Sequence, residues 1–197
     1  IMAGAMAMRN SLFLPLVARP GLPDLVVEQI VRGDGSLQVV LRNIGAAPII
    51  EEFWVDAYVA PSTPPWRVNQ TWDMMGAEGM VWGVTGAALP LAPGATLTLA
   101  IGDAYYLPEY SSVALPLAAG RAVYVQVDSY GEVGDYGAIL ESHEQDGQPY
   151  NNISGPAPGA QTDAPGALEL QPLATPEQNA PPRRRRMLTD PRTREVK

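Results

Sequence analysis

Residues 123–128, Val-Tyr-Val-Gln-Val-Asp, alternate apolar and polar side chains, the two-residue period of a strand with one buried face. The same signature recurs along the chain. It predicts strands over 24–31, 37–42, 52–59 and 96–101, a short one over 79–83, and a closing one over 150–153. In the third, Phe53, Val55, Ala57 and Val59 share one face, and Trp54, Asp56 and Tyr58 the other. Turn signals separate these runs: Gly33-Asp34-Gly35, Asn43-Ile44-Gly45 and Leu91-Ala92-Pro93-Gly94. No stretch carries a convincing amphipathic helical period. About seven short strands joined by turns predict an all-β fold, an antiparallel β-sandwich.

The pattern breaks at both ends and in the middle. Residues 11–18 are strongly apolar (Leu12, Phe13, Leu14, Leu16 and Val17) but interrupted by Pro15, which confines them to an edge strand or an extended strap. Pro20-Gly21-Leu22-Pro23 separates that strap from the first regular strand. Residues 155–197 form a Pro/Ala/Gly-rich extension with a basic tail. The chain therefore divides into an arm and strap (1–22), a sandwich (23–154) and an extension (155–197). The interval 61–89 is long for a connection in a compact domain and holds Trp66, Trp72 and Trp82; intervals of that kind are often functional.

Composition narrows the function classes. Hydrophobic residues make up 46% of the chain, enough for a real core. There is no Cys, so neither a disulfide framework nor thiolate chemistry is available. No apolar run reaches the length of a membrane-spanning helix. Residues 24–152 hold 16 acidic and 4 basic side chains, a balance that does not suit nucleic acid. Residues 183–197 reverse it, with 7 basic and 2 acidic. That tail suits a polyanion or the acidic body of a neighbouring copy. Ala5-Met6-Ala7 resembles the small-residue site of a signal peptide; the alternative is an N-terminal arm.

Several short motifs occur in a fixed order over 23–154. They are Pro23-Asp24-Leu25-Val26-Val27, Leu41-Arg42-Asn43-Ile44-Gly45, Phe53-Trp54-Val55-Asp56, Leu91-Ala92-Pro93-Gly94 and Val125-Gln126-Val127-Asp128, closed by Glu141-Ser142-His143-Glu144 with Asn151-Asn152. In this order the chain resembles the CARDB family, the cell-adhesion-related domain found in bacteria. The resemblance implies an immunoglobulin-like sandwich on secreted or surface-attached prokaryotic proteins, usually non-catalytic. Residues 61–89 and 129–139 stand as insertions against that pattern, and 145–150 separates the Glu pair from the Asn pair.

Candidate chemistry concentrates after residue 127. Asp128, Glu132, Asp135, Glu141, Glu144 and Asp146 follow one another with no Lys or Arg between Arg121 and Arg183. Close carboxylates repel, so they must be solvated or meet a cation. Asp128, Glu141, Glu144, Asp146, Asn151 and Asn152 are hard oxygen donors of the kind calcium takes from loops. Residues 142–153 fail the EF-hand pattern at its first and twelfth positions, Ser142 and Ile153. The alternative is that these side chains cap turns. No cofactor is demanded; calcium is the one ion suggested.

The single His143 is expected in an exposed turn, and without a second His the zinc-protease pattern is absent. No nucleophile elbow occurs. Paired carboxylates can run glycoside chemistry, and Glu141 with Glu144 is a candidate pair, but nothing sets it in a sugar cleft. Trp66, Trp72, Trp82, Tyr105, Tyr106 and Tyr110 can form a partner-binding surface for sugars or proteins, or a small core under the long interval. Asn69 and Asn152 open glycosylation triplets, meaningful only in a glycosylating host.

The expectation is a non-catalytic, extracellular structural or adhesion domain. Its strap and tail would join copies of itself into a surface assembly or filament. The competing expectation is a module recognising surface polysaccharide or a protein partner through the aromatic interval, with calcium if needed.

Overall fold

The structure is a computed structural model and describes residues 21–33, 35–76, 78–131 and 136–157. The apolar strap, the basic tail, Glu132 and Asp135 lie outside the described residues.

Seven antiparallel strands form two sheets. They are β1 (Leu25–Gly33), β2 (Ser36–Asn43), β3 (Phe53–Val59), β4 (Glu78–Val84), β5 (Thr96–Ala100), β6 (Val123–Val127) and β7 (Ile153–Ala157). One sheet has the order β1-β2-β5, the other β4-β3-β6-β7. The second strand thus pairs with the first and fifth, while the third, sixth and seventh run side by side with the fourth on the outside. This is an immunoglobulin-like sandwich with an additional strand beside the third. The first six strands lie where the sequence pattern predicts them. The last starts at Ile153, three residues later than the expected 150–153 run, because Tyr150, Asn151 and Asn152 are engaged in side-chain contacts before it.

The core lies between the sheets. From the three-stranded sheet come Leu25, Val27, Leu37, Val39, Leu41 and Leu99; from the other, Phe53, Val55, Ala57, Val59, Met80, Trp82, Val84, Val123, Val125 and Val127. The pairing keeps like with like: Val39 faces Leu99 across β2/β5, and Val55 faces Trp82 on one side and Val127 on the other. In β1 the register shifts between Val27 and Gln29, a bulge that brings Ile30 back against the core after Leu25 and Val27.

The outer face of the four-stranded sheet is covered as well, so all seven residues of β3 are buried. The 61–76 segment and residues 103–112 lie over it. Trp54, Val81 and Leu107 form a second apolar cluster there with Trp72, Tyr110 and Tyr130. Residues 105–112 also close the free edge of β4: Leu107 N–H donates to the Val81 carbonyl, Gly83 N–H to Tyr105, and Gly79 and Ser112 exchange bonds. This cover explains why polar β3 and β6 side chains sit in the interior. Asp56 Oδ2 accepts Trp72 N–H at 3.1 Å, and Asp56 Oδ1 accepts Ser129 Oγ–H at 2.7 Å. Gln126 Nε2 donates to the Arg67 carbonyl (2.9 Å) and to Tyr150 Oη (2.7 Å). Tyr58 Oη, with one proton to give, lies between the Gln70 carbonyl at 2.6 Å and Gln126 Oε1 at 2.7 Å. A buried polar group without such partners costs about 1–3 kcal/mol, so these bonds fix the cover to the sheet.

Candidate functional site

The acidic segment folds back onto the start of β1. A single helical turn, α1 (Ser142–Gln145), is framed by local sequence. At its start Glu144 Oε2 accepts the Glu141 N–H at 3.1 Å, the reach-back half of a capping box. At its end Gly147 takes a positive φ of 65°; its N–H bonds to the Glu144 carbonyl and the Gln148 N–H to the His143 carbonyl. That pair of bonds is a Schellman stop, signalled in the sequence by Asp146-Gly147.

Two side chains of the turn, and one from the segment before β7, point at the residue before β1. Ser142 Oγ–H donates to Asp24 Oδ2 (2.6 Å), Asn151 Nδ2 donates to Asp24 Oδ1 (2.9 Å), and His143 Nδ1 lies 3.3 Å from that same oxygen. Glu141, fully buried, accepts the Leu25 N–H on Oε2 and Asn152 Nδ2 on Oε1 at 2.6 Å. His143 Nδ1 is also 3.8 Å from Glu141 Oε2. The imidazole packs against Tyr150, ring centroids 5.7 Å apart. Asn43 completes the frame, its Oδ1 accepting the Asp24 and Gly45 N–H groups and its Nδ2 donating to the Ala47 and Leu91 carbonyls.

Electrostatics here are set by burial. Glu141 is pushed up to about 9, first by desolvation, with the Leu25 N–H bond opposing it. Asp128 is raised to about 7 by desolvation, against two bonds from the Ala138 and Ile139 N–H groups at 2.8 and 3.0 Å. Glu144 is raised by partial burial, and the Tyr150 phenol is raised by burial too. Protonated at neutral pH, a carboxylic acid such as Glu141 can donate as well as accept.

The six oxygen-donor residues singled out in the sequence are split between tasks. Asp128 caps the turn at 138–139, Glu144 the start of α1, and Asp146 is exposed at its end. Glu141 and Asn152 bond to each other, and Asn151 bonds to Asp24. His143 corrects the expected exposed turn histidine: it is 5% exposed, because α1 turns it inward onto Asp24 and Tyr150. Sequence reasoning placed Asp24 only as a strand start. Its role needed the fold, since its partners lie more than 115 residues away.

The aromatic residues also divide. Trp82 is fully buried in the main core, donates Nε1–H to the Ala100 carbonyl, and meets Tyr106 edge-on at 5.8 Å. Tyr105 packs on the same core. Trp72 donates Nε1–H to the Tyr110 carbonyl, and Tyr110 stands edge-on to Trp54 at 5.7 Å. Trp66 alone of the six is largely exposed, at 61%, with the Arg67 guanidinium 4.6 Å over its ring. Asn152 is buried with its amide on Glu141, a place no glycan can occupy. Asn69 is half-buried with a positive φ of 62°, its Oδ1 accepting the Gly131 N–H.

A scan against protein-family models, a search of curated proteins and a search of solved structures find no match to this chain. No helix among the described residues is long and apolar enough to cross a membrane.

Proposed function

We propose that this chain is a non-catalytic structural or adhesion domain of a prokaryotic cell surface, joined to copies of itself by strand addition. The observation that carries the reading is the free edge of β5. Among the described residues it pairs with β2 on one side and with no strand on the other. Its sequence, Thr-Leu-Thr-Leu-Ala, has none of the charges or prolines that usually blunt such an edge. The β4 edge, by contrast, is closed by the chain itself. An extended apolar segment is the natural partner of an uncovered strand, and Leu12, Phe13, Leu14, Leu16 and Val17 supply one. A strand donated head to tail does not close on itself and gives a filament. The motif order shared with CARDB domains points the same way.

Size-exclusion chromatography with light scattering, and negative-stain microscopy, test this on the full-length chain. The expected result is ordered oligomers that become monomers when residues 1–19 are deleted or when Thr98→Lys places a charge on the β5 edge, with the far-ultraviolet circular dichroism unchanged. A full-length protein that stays monomeric at high concentration overturns it.

A second reading rests on Trp66. An exposed indole beside a stacked guanidinium suits a polysaccharide or protein partner. In that case Trp66→Ala abolishes glycan-array binding by a monomer.

A further inference from the structure

We propose that Asp24, Glu141 and His143 form a site for a single divalent transition-metal ion of the zinc class, clasping α1 to the start of β1. This inference is independent of the assembly reading. One oxygen from each carboxylate and His143 Nδ1 all lie within 4.8 Å of one another. Two edges of that triangle, from Nδ1, are 3.3 and 3.8 Å. Geometry then places a point about 1.9–2.4 Å from all three atoms, which spans the roughly 2.0–2.2 Å that zinc takes to imidazole nitrogen and carboxylate oxygen. Calcium fits the donors less well, since it takes oxygen ligands and about six to eight of them.

The surroundings are those of a built site. All four carboxylate oxygens accept a hydrogen bond: Asp24 Oδ2 from the Ser142 hydroxyl and Glu141 Oε1 from Asn152 Nδ2 on the outer side, and Asp24 Oδ1 from Asn151 Nδ2 and Glu141 Oε2 from the Leu25 N–H on the side that faces the imidazole, where each oxygen keeps a second lone pair. Such outer contacts orient metal-binding carboxylates. Asn152, 1% exposed, aims its amide at Glu141, and its Oδ1 is a buried oxygen with no partner. The Asn151 Oδ1 beside Asp24 is another. Both amides bond a carboxylate of the triangle through Nδ2, and each leaves its oxygen without a partner. Among the described residues no Lys or Arg donates to Asp24 or Glu141, and the two guanidinium ion pairs lie elsewhere, Arg42 with Glu28 and Arg121 with Glu78. Two buried carboxyl groups therefore face one imidazole and, among the described residues, no fixed cation.

The ligands come from chain segments more than 115 residues apart, so an ion held there stabilises the folded state by mass action. The rival occupant is a proton, shared between imidazole and carboxylates. The chain has one His, which makes its ring an unambiguous reporter. The experiment uses full-length protein stripped with chelator and dialysed. Cobalt(II) is expected to give a visible absorption band that saturates at one equivalent and is displaced by zinc. Zinc should raise the thermal midpoint, and in ¹⁵N spectra His143 Nδ1 should carry the coordination shift. His143→Gln removes the band; Asp146→Asn, which changes an exposed neighbour, keeps it. If His143→Gln does not fold, the wild-type imidazole spectrum decides alone. A His143 Nδ1 resonance that does not move in saturating zinc, an unchanged midpoint, or a band lost in Asp146→Asn overturns the proposal.

Discussion

Glu141 accepts the backbone N–H of Leu25, the first residue of β1, from 116 positions further along the chain. The bond is the inner half of a clasp whose outer half is Ser142, His143 and Asn151 on Asp24. Replacing Glu141 by Ala leaves the Leu25 N–H and Asn152 Nδ2 buried without acceptors. In chelator-treated protein this should cost on the order of 2–4 kcal/mol in urea unfolding. Glu141→Gln should cost clearly less at pH 7, because burial holds the native acid at about 9 and so in its neutral form. Equal losses for the two variants would show that the acid is ionised in the fold.

Asp128 gives stability a pH dependence. Its folded value is raised from the ordinary 3.8 to about 7. Between those values the folded state holds a proton that the unfolded state has lost. The contribution is thus fully present below about pH 4 and disappears as pH rises through about 7. With each unit worth about 1.4 kcal/mol, the loss is on the order of 4 kcal/mol, a figure that already includes the pull of the Ala138 and Ile139 N–H bonds towards the anion. Asp128→Asn keeps a residue that tolerates the positive φ of 48°. Denaturant midpoints of the wild type should fall from pH 5 to pH 8 more steeply than those of the variant. Parallel slopes would remove Asp128 from the account.

The strands were legible because their period is local. Phe53, Val55, Ala57 and Val59 announce one face of β3 without knowledge of any neighbour. The covering of the other face was not, since Trp54, Asp56 and Tyr58 read equally well as solvent-facing until the 61–76 segment and residues 103–112 close over them. The acidic cluster was visible as a charge run, and its local caps follow from Glu141, Glu144 and Gly147. What the run could not give was Asp24, whose carboxylate is brought to His143 only by pairing of sheets. The burial of His143 escaped for the same reason.

Gly137 sits against the buried acid. A Cβ added there would collide with the Asp128 carboxyl group and its backbone oxygen. Neither neighbour can give way easily, because Asp128 is pinned by Ala138 and Ile139. Gly137→Ala should therefore destabilise by roughly 2–4 kcal/mol, as overpacking and a lost buried bond combine. Gly147→Ala, where the added methyl meets nothing, should cost about 1 kcal/mol from the positive φ of 65° alone. Thermal denaturation of the two variants separates collision from conformational strain. A Gly137→Ala midpoint no lower than that of Gly147→Ala would contradict the packing described around Asp128.

Three of the four tryptophans, Trp66, Trp72 and Trp82, should differ sharply in what they hold. Trp82 fills the centre of the main core, and its Nε1–H satisfies the Ala100 carbonyl at the end of β5. Trp82→Ala should cost about 3–5 kcal/mol, with the lost hydrogen bond adding to the cavity. Trp66 is exposed at 61%, with the Arg67 guanidinium over its ring, so Trp66→Ala should change stability by no more than about 0.5 kcal/mol. Trp72 falls between them, since its ring packs on the outer apolar cluster and its Nε1–H ties the 61–76 segment to the Tyr110 carbonyl. Its loss should loosen the 61–76 segment before the sheets, visible as faster amide exchange there at unchanged exchange in β2 and β6. Uniform exchange throughout would mean that the cover and the sandwich unfold as one unit.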